Sequence, residues 1–376
     1  MKQCKYLFSF LLLIGIGAAA QLPIIPYPNK VVEGKGFYNV TTSVAKEAVV
    51  FIDSSAGSIV TNAEGYYLSV TPKQIKITAK TKVGAFYGMQ TLLQLEAASK
   101  KIPVVTIEDA PAFGYRGLML DVGRHFMPVS FIKQLLDVMA MQKMNNLHLH
   151  LTEDQGWRIE IKKYPNLTSV GSVRGGTLIG KYPGKGNTNA AYGGFYTQAQ
   201  LKDLVAYAAS KNINIIPEIE MPGHASAAIA AYPALSCFPN EPTQLTKNMY
   251  ATATENKIKN QGGKIVQETW GVFDDVFAPS EYTFNFIENV LDEVMDIFPS
   301  TYIHIGGDEA AKGHWKKCTK CQKRILDNGL KDVDELQSYA IKRMEKFISS
   351  KGRYLLGWDE ILEGGLAPGA RVMSWR

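Results

Sequence analysis

The feature that most constrains the fold is a regular alternation that begins after Pro111. Short, continuous apolar runs alternate there with stretches of helical periodicity. Apolar runs of this kind are typical of parallel strands buried on both faces, and the intervening periodicity indicates helices that cover the sheet. The predicted strands are 117–122, 146–151, 213–219, 302–305, 354–357 and 371–375, and the predicted helices are 130–143, 197–211, 284–297 and 334–351. This order predicts an α/β fold.

Side chains capable of chemistry follow five of these six strands. In (β/α)8 TIM-type barrels the functional groups collect at the carboxyl ends of the strands. The residues in question are Asp121 and Arg124, His148, His150 and Asp154, Glu218, Glu220 and His224, Asp308 and Glu309, and finally Trp358. No Gly-x-Gly-x-x-Gly motif follows the first strand, which weighs against a dinucleotide-binding fold. The sequence therefore predicts a TIM-type barrel.

The barrel is expected to be truncated after six strands. A closed (β/α)8 barrel needs eight, and the sixth predicted strand ends one residue before the end of the chain. A barrel that lacks two strands exposes two long apolar edges, which promote aggregation or pairing with another chain. We therefore expect this polypeptide alone to be unstable or weakly active.

The residues before the barrel predict a small α+β domain over 21–111, with the barrel over 112–376. Short strands are expected at 66–70 and 74–78, and a helix with one apolar face at 83–98. All six histidines lie between His125 and His314. The chemistry is therefore expected in the second segment.

Residues 1–20 have the pattern of a secretory signal peptide. Lys2 and Lys5 precede an apolar run over 7–16, and three alanines follow at 18–20. The run is shorter than the roughly 20 residues that a membrane-spanning helix requires. We expect export to the periplasm or the medium, with no membrane span in the mature chain.

The charge balance gives little support for nucleic-acid binding. The chain has 41 Lys and Arg against 35 Asp and Glu, a formal net charge of +6, and the basic residues are scattered along it. Proteins that bind nucleic acid usually gather such residues into a patch or stripe. A solvated surface explains the charges better.

Three cysteines remain once the predicted signal peptide is set aside. Cys318 and Cys321 could form a local disulfide or stay as two thiols, and Cys237 is distant in sequence. A zinc site at this pair would lack ligands even with His314. No metal and no cofactor are therefore expected.

The segment from Ile303 to Glu309 is an apolar strand that breaks at two glycines and then presents two adjacent carboxyl groups. Paired carboxylates suggest glycoside hydrolysis. Neighbours on a strand point to opposite sides, so Asp308 and Glu309 suit separate duties better than facing each other across one bond. If the substrate supplies its own 2-acetamido nucleophile, Asp308 could hold that group while Glu309 donates the proton.

Four ordered motifs resemble those of the family 20 glycoside hydrolases, the β-N-acetylhexosaminidases. They are Tyr-Arg-Gly-Leu-Met-Leu-Asp-Val-Gly-Arg-His-Phe at 115–126, Leu-His-Leu-His-Leu-Thr-Glu-Asp-Gln-Gly-Trp-Arg at 147–158, Pro-Glu-Ile-Glu-Met-Pro-Gly-His at 217–224 and Gly-Gly-Asp-Glu at 306–309. The resemblance covers nearly all of the mature chain, including the small domain before the barrel. It implies an exo-acting enzyme that removes terminal β-linked N-acetylglucosamine or N-acetylgalactosamine with retention, through an oxazolinium intermediate and without a metal.

The resemblance also implies roles for individual residues. Asp308 would orient the acetamido group, Glu309 would be the general acid and later the base, and its pKa would have to be raised, with Asp308 as one source of that shift. Arg124 would grip sugar hydroxyls, with Asp154 and His224 in the polar network around the acid. Trp358 and Trp375 would line the pocket. Core packing is the competing interpretation of these two tryptophans, and a hydrogen-bonded support that of His224. His148 and His150 alternate with leucine on a buried strand, which favours structural hydrogen bonding over catalysis.

Two alternatives remain open at this point. A relative of the lacto-N-biosidase type would release a disaccharide instead of a single sugar, because the loops around the site set that preference. A non-catalytic carbohydrate-binding homologue would retain the fold without turnover. In each case the expected partner is a carbohydrate with a terminal N-acetylhexosamine.

Overall fold

The computed structural model describes residues 21–55, 59–181, 183–246 and 249–375. The predicted signal peptide lies outside these residues. The chain divides into two compact units at the junction between Ala112 and Phe113. None of the helices in the described ranges has the length and apolar character that crossing a bilayer requires.

The first unit is a five-stranded sheet with one long helix. Its elements are β1 (Lys30–Asn39), α1 (Val44–Glu47), β2 (Val49–Ile52), β3 (Tyr66–Val70), β4 (Ile75–Ala79), α2 (Lys82–Ala98) and β5 (Lys101–Asp109). The strand order is β1-β5-β3-β4-β2, antiparallel except for the parallel pair β2–β4. Leu68, Ile77 and Leu92 are fully buried in its core. The strand expected at 74–78 is displaced by one residue.

The second unit carries the remaining elements. They are β6 (Gly117–Asp121), α3 (Val129–Met141), β7 (Asn146–His150), β8 (Thr152–Glu153), β9 (Gly156–Trp157), α4 (Asn166–Ser169), β10 (Val173–Arg174), β11 (Tyr192–Gly193), α5 (Gln198–Ser210), β12 (Asn214–Glu218), α6 (Ser226–Ala231), α7 (Thr252–Gln261), α8 (Glu281–Ile297), β13 (Tyr302–His304), α9 (Gly313–Lys317), α10 (Thr319–Asp327), α11 (Val333–Ser350), β14 (Tyr354–Trp358) and β15 (Arg371–Met373). Short 3-10 helices occupy Pro233–Leu235 and Asp359–Leu362.

The main sheet of this unit is parallel and has six strands in the order β15-β14-β13-β12-β7-β6. Each strand therefore pairs with its predecessor in the predicted series, as in a TIM-type barrel. The six predicted runs correspond to these strands with ends displaced by up to two residues. Five short helices of this unit, α4, α6, α7, α9 and α10, were not predicted, and they lie in the connections between strands.

Side-chain caps fix the starts of the long helices. Thr197 and Gln200 form a capping box at α5, in which each side chain binds the backbone of the other residue. The Ser280 hydroxyl accepts the Thr283 N–H at α8, and the Asp332 carboxylate accepts two N–H groups at α11. These caps satisfy donors that have no partner within the helix. They explain why polar residues precede the apolar periodicity.

The outer strands of the sheet are more exposed than the inner ones. Met119 in β6 and Val372 in β15 are each 40% exposed, whereas Leu147 and Leu149 in β7 are fully buried. The main-chain groups along one side of β6 and β15 have no partner strand within the described residues. Such edges are the surfaces on which sheets add further strands.

Candidate active site

A row of polar residues crosses four neighbouring strands at their carboxyl ends. In the parallel register Asp121 pairs with His150, His150 with Glu218, and Glu218 with His304. Parallel strands end at the same edge of a sheet, so this register brings together groups that are far apart in sequence. The loops that follow β7, β12, β13 and β14 begin beside this row of residues.

Glu218 is the member of this row that contacts several of the surrounding side chains. Its carboxylate lies 2.8 Å from His148 Nε2 and 2.9 Å from His304 Nδ1, and Trp358 Nε1 donates to it over 3.0 Å. The histidines and Glu218 are almost completely buried. A buried carboxylate needs such partners to remain charged. The contact of His148 with Glu218 agrees with the structural hydrogen bonding expected for it, and Trp358 is fixed by its indole N–H.

The two adjacent acids follow a sharp turn after β13. Gly306 and Gly307 have φ values of 66° and 95°, a left-handed backbone that glycine adopts readily. Glu309 also has a positive φ, 48°, and its N–H donates to the Glu360 carboxylate over 2.7 Å. Both acids lie beyond the end of β13, so the alternation of side chains along a strand does not set their directions. The turn directs them to one common partner.

That partner is His224. Its Nε2 lies 3.4 Å from Asp308 Oδ2 and 3.5 Å from Glu309 Oε2. The backbone of His224 has a positive φ of 48°, which is uncommon outside glycine and requires support from its surroundings. The structure therefore brings together three of the predicted site residues through one imidazole nitrogen.

The other nitrogen of His224 faces two buried acids. His224 Nδ1 is 2.9 Å from Asp154 Oδ2 and 3.3 Å from Glu153 Oε1. Asp154 also accepts the Ser226 N–H over 2.9 Å, which holds its carboxylate in place. The imidazole thus bridges a buried pair of acids and a more exposed pair. These contacts place His224 in the polar network around the acids, and its role in the reaction stays a prediction.

Arg124 joins this network through Glu153. One guanidinium nitrogen pairs with Asp121 at 2.8 Å and another with Glu153, whose carboxylate also contacts His224. The Arg124 side chain remains 27% exposed, so part of its donor fork is accessible to a ligand. Glu153 was not predicted as a site residue, although it stands beside Asp154 in the second motif.

The charges explain which of these groups are ionised. Burial lowers the pKa of His224, but the charge of Glu153 and the hydrogen bonds to Asp154 and Asp308 outweigh it, and the pKa lies well above the usual 6.5. The charged imidazolium in turn keeps the pKa of Asp308 below its usual value despite burial. Asp308 is therefore the ionised member that a cationic intermediate requires.

Glu309 differs from the expectation. The contact with the charged His224 ring lowers the pKa of Glu309 below its usual value, and this outweighs both burial and the repulsion by Asp308. The side chain is 38% exposed, so water stabilises the carboxylate as well. The predicted raised pKa is therefore wrong for the ligand-free site. The acid with a raised pKa is the buried Glu220, because of burial and the neighbouring charges of Asp308 and Glu218.

The two predicted tryptophans differ in their surroundings. Trp358 is half-buried and lies against His304 and His148, with ring centroids 4.9 and 5.6 Å apart. Trp375 follows β15 and is 51% exposed. Trp270, which was not predicted, lies 6.0 Å from the Arg124 guanidinium carbon and is 37% exposed. Its position in a long connection gave no sequence signal. The role of Trp375 stays a prediction.

The cysteines form a group of three. All three are free thiols in the structure, the second of the two states expected for Cys318 and Cys321, and Cys237 Sγ lies 3.5 Å from Cys321 Sγ. The connection after β12 folds back against the start of α10, which no spacing in the sequence indicates. The approach of Cys237 to the pair was therefore not predicted.

The charged state of His224 has a consequence for stability. A folded-state pKa above 6.5 stabilises the fold fully below pH 6.5, and this contribution is lost as pH rises through the folded value. We expect His224→Gln to flatten the decline in unfolding free energy above pH 6.5, by up to about 1.4 kcal/mol per pH unit. All five tryptophans lie in the second unit, so urea unfolding followed by tryptophan fluorescence measures this unit.

Ser226→Ala is the matched control for this measurement. It removes a hydrogen bond to the same Asp154 carboxylate without removing a titrating group. It should lower stability about equally at every pH. An equal pH slope in the wild type and His224→Gln would contradict a raised pKa at His224.

Comparison with known families agrees with the motifs. The model of the glycosyl hydrolase family 20 catalytic domain matches residues 113–376, and that of domain 2 of the same family matches residues 39–110. Both ranges fall within the two compact units of the structure. The polar residues at the ends of β6, β7, β12 and β13 and the residues around His224 all lie within the range that matches the catalytic domain.

Curated relatives share most of this chain. A beta-hexosaminidase of Porphyromonas gingivalis is 52% identical over 324 residues, which cover 83% of this chain and 38% of the relative. A beta-hexosaminidase of Vibrio furnissii is 34% identical over 95% of this chain and 60% of its own length. The chain thus spans about two fifths to three fifths of these relatives.

Solved structures have the same fold. A β-N-acetylhexosaminidase of Bacteroides fragilis superposes with a TM-score of 0.73 at 32% identity, covering 94% of this chain and 70% of that one. An exo β-N-acetylglucosaminidase of Vibrio harveyi, solved with N-acetylglucosamine, gives a TM-score of 0.78 at 30% identity over 95% of this chain and 58% of that one. The chain belongs to glycosyl hydrolase family 20.

Proposed function

We propose that this chain carries the active site of an exo-β-N-acetylhexosaminidase, which hydrolyses terminal β-linked N-acetylglucosamine or N-acetylgalactosamine with retention. The observation that carries the proposal is the shared contact of Asp308 and Glu309 with His224 Nε2, at 3.4 and 3.5 Å. Two carboxyl groups that contact the same imidazole can take separate roles, one acting on the acetamido group and the other on the leaving group. Family 20 membership and the names of the relatives support this substrate class.

In the proposed reaction Asp308 acts on the acetamido group. Its lowered pKa keeps it anionic, so it can accept the amide N–H and turn the carbonyl oxygen towards the anomeric carbon. That oxygen forms the new bond to carbon while the glycosidic bond breaks. The resulting oxazolinium ion is cationic, and the adjacent carboxylate stabilises the charge as it develops.

Glu309 protonates the leaving oxygen in this proposal. In the free site the proton of the His224–Glu309 pair resides on His224, since the pKa of the imidazole is raised and that of the carboxyl lowered. A sugar that covers Glu309 removes water from its carboxylate and favours the neutral acid. The proton can then pass from His224 Nε2 to Glu309 and on to the leaving group. Glu309 next takes a proton from the water that opens the oxazolinium ring.

Arg124 and Trp358 complete the proposed sugar site. The exposed part of the Arg124 fork can donate to paired hydroxyls, while Asp121 and Glu153 hold the guanidinium in place. Trp358 offers its partly exposed ring to the apolar face of the sugar, as Trp375 would from the next strand.

A pair of chromogenic substrates tests this function. We expect the chain to hydrolyse 4-nitrophenyl N-acetyl-β-glucosaminide at least about a thousand-fold faster than 4-nitrophenyl β-glucoside, because the glucoside lacks the internal nucleophile. Kcat/KM for the two substrates is the measurement. Equal rates would contradict the use of the acetamido group. Binding of N-acetylglucosamine without any turnover would instead support a non-catalytic carbohydrate-binding protein.

Two further features belong to the same proposal. We propose that the six-stranded sheet is the larger part of a (β/α)8 barrel, with the edges of β6 and β15 as the places where further strands pair. The signal-like pattern of residues 1–20 supports export to the periplasm or the medium. A terminal sugar on an extracellular glycan would be an accessible substrate there.

A further inference from the structure

Three cysteine thiols converge in the second unit. Each of Cys237, Cys318 and Cys321 offers a sulfur, and the three sulfurs lie within 4.8 Å of one another. The Cys237–Cys321 distance is 3.5 Å. Sulfurs that share a tetrahedral zinc ion at 2.3 Å are about 3.8 Å apart. The thiols are therefore already spaced as ligands of one ion.

Local structure explains how the thiols are held. Cys318 is the N-cap residue of α10 and Cys321 lies on the first turn of the same helix, so both point towards its N-terminus. Cys237 comes from the connection after the 3-10 helix Pro233–Leu235. Cys318 and Cys321 are 4% and 3% exposed and pack with Trp315 in one apolar cluster. An ion at this place would be enclosed, as in structural metal sites.

The position of the pair on its helix suits metal ligands. Cys318 and Cys321 lie at the N-terminus of α10, where the positive end of the helix stabilises a thiolate. Two thiolates as close as Cys237 and Cys321 would repel one another unless a cation separates them.

We propose that Cys237, Cys318 and Cys321 bind one thiophilic divalent cation, of which Zn²⁺ is the representative, in a structural site. Binding converts three thiols to thiolates and releases three protons, with no change of oxidation state. The fourth position of a tetrahedral ion would be open to water. The ion would tie the connection after β12 to α10.

Cobalt substitution tests the site. The full chain is reduced, freed of metal with a chelator and titrated with Co²⁺ under nitrogen. We expect a thiolate-to-cobalt absorption band that saturates at one Co²⁺ per chain and disappears when Zn²⁺ is added. We expect each of the single variants Cys237→Ser, Cys318→Ser and Cys321→Ser to bind Co²⁺ at least about a hundred-fold more weakly. Loss of a residue that only orients a metal ligand weakens metal binding by up to about that factor, so loss of a ligand itself should weaken it at least as much. Thr319→Ala, an exposed neighbour, should bind as the wild type does.

A second readout covers variants that fail to fold. Zn²⁺ should raise the Tm of the wild-type chain and protect all three thiols from alkylation, since a ligand that binds only the folded state stabilises it. Absence of the cobalt band, with equal alkylation rates with and without Zn²⁺, would overturn the proposal. The thiols would then be either small apolar core residues or, if a Cys237–Cys321 disulfide forms in air, a cross-link.

Discussion

Replacement of Glu309 by glutamine is expected to reduce kcat/KM by about 10²–10⁴ for N-acetylhexosaminides with poor leaving groups, the usual contribution of a positioned acid. Glutamine keeps the size and the contact with His224 but cannot release a proton. A 4-nitrophenolate leaving group needs little protonation, so formation of the oxazolinium ion from the aryl substrate should slow much less. Kinetics with an aryl glycoside and a chitooligosaccharide, measured side by side, separate the two effects.

Glu241→Gln is the control for this variant, because Glu241 is an exposed acid in a connection of the same unit. It should leave both substrates unaffected. Thermal unfolding of Glu309→Gln should remain close to that of the wild type, since Glu309 is partly exposed. Equal losses on the two substrates, or a large drop in Tm, would show that Glu309 has a structural role.

Replacement of Asp308 by asparagine is expected to reduce kcat by about 10²–10³, comparable to the loss of one electrostatic contact in other active sites. Asparagine has nearly the same shape but no charge to oppose the oxazolinium ion. KM should change less than kcat, because the negative charge of Asp308 matters most after the oxazolinium ring has begun to form. Steady-state kinetics with the N-acetylglucosaminide provide both values.

Asp327→Asn controls for the loss of a negative charge in general. Asp327 is exposed and pairs with Lys323 on α10. Its removal should not affect kcat. If Asp308→Asn raised KM and left kcat unchanged, Asp308 would hold the substrate equally in the ground state and the transition state, and the proposed stabilisation of the intermediate would fail.

The succession of strands and helices in the main sheet could be predicted from the sequence because two local patterns agree. Apolar runs such as β7 are buried on both faces, and capped periodic stretches such as α5 and α8 lie between them. Parallel register then decides which polar residues meet, and strand ends at Asp121, His150 and Glu218 could be anticipated as neighbours. The two edge strands of the sheet in the first unit, β1 and β2, are exposed, and the apolar pattern in their sequences is weaker.

The details of the site depend on the backbone, and this is where prediction from sequence reached its limit. Alternation along a strand was the wrong guide for Asp308 and Glu309, since a left-handed residue after two glycines redirects the chain. The sign of the pKa shift at Glu309 depends on His224, which comes from another loop. The meeting of Cys237 with Cys321 likewise depends on a long connection whose path has no periodic signal.

The use of the acetamido group as nucleophile is tested most directly by the affinity for a thiazoline analogue of the bicyclic intermediate, measured by calorimetry. We expect the wild-type chain to bind this analogue at least about a hundred-fold more tightly than N-acetylglucosamine, because it mimics a state on the reaction path. Asp308→Asn should lose most of that advantage. Equal affinities for the thiazoline and the free sugar, unchanged in Asp308→Asn, would contradict a site in which Asp308 stabilises the substrate's own acetamido group as nucleophile.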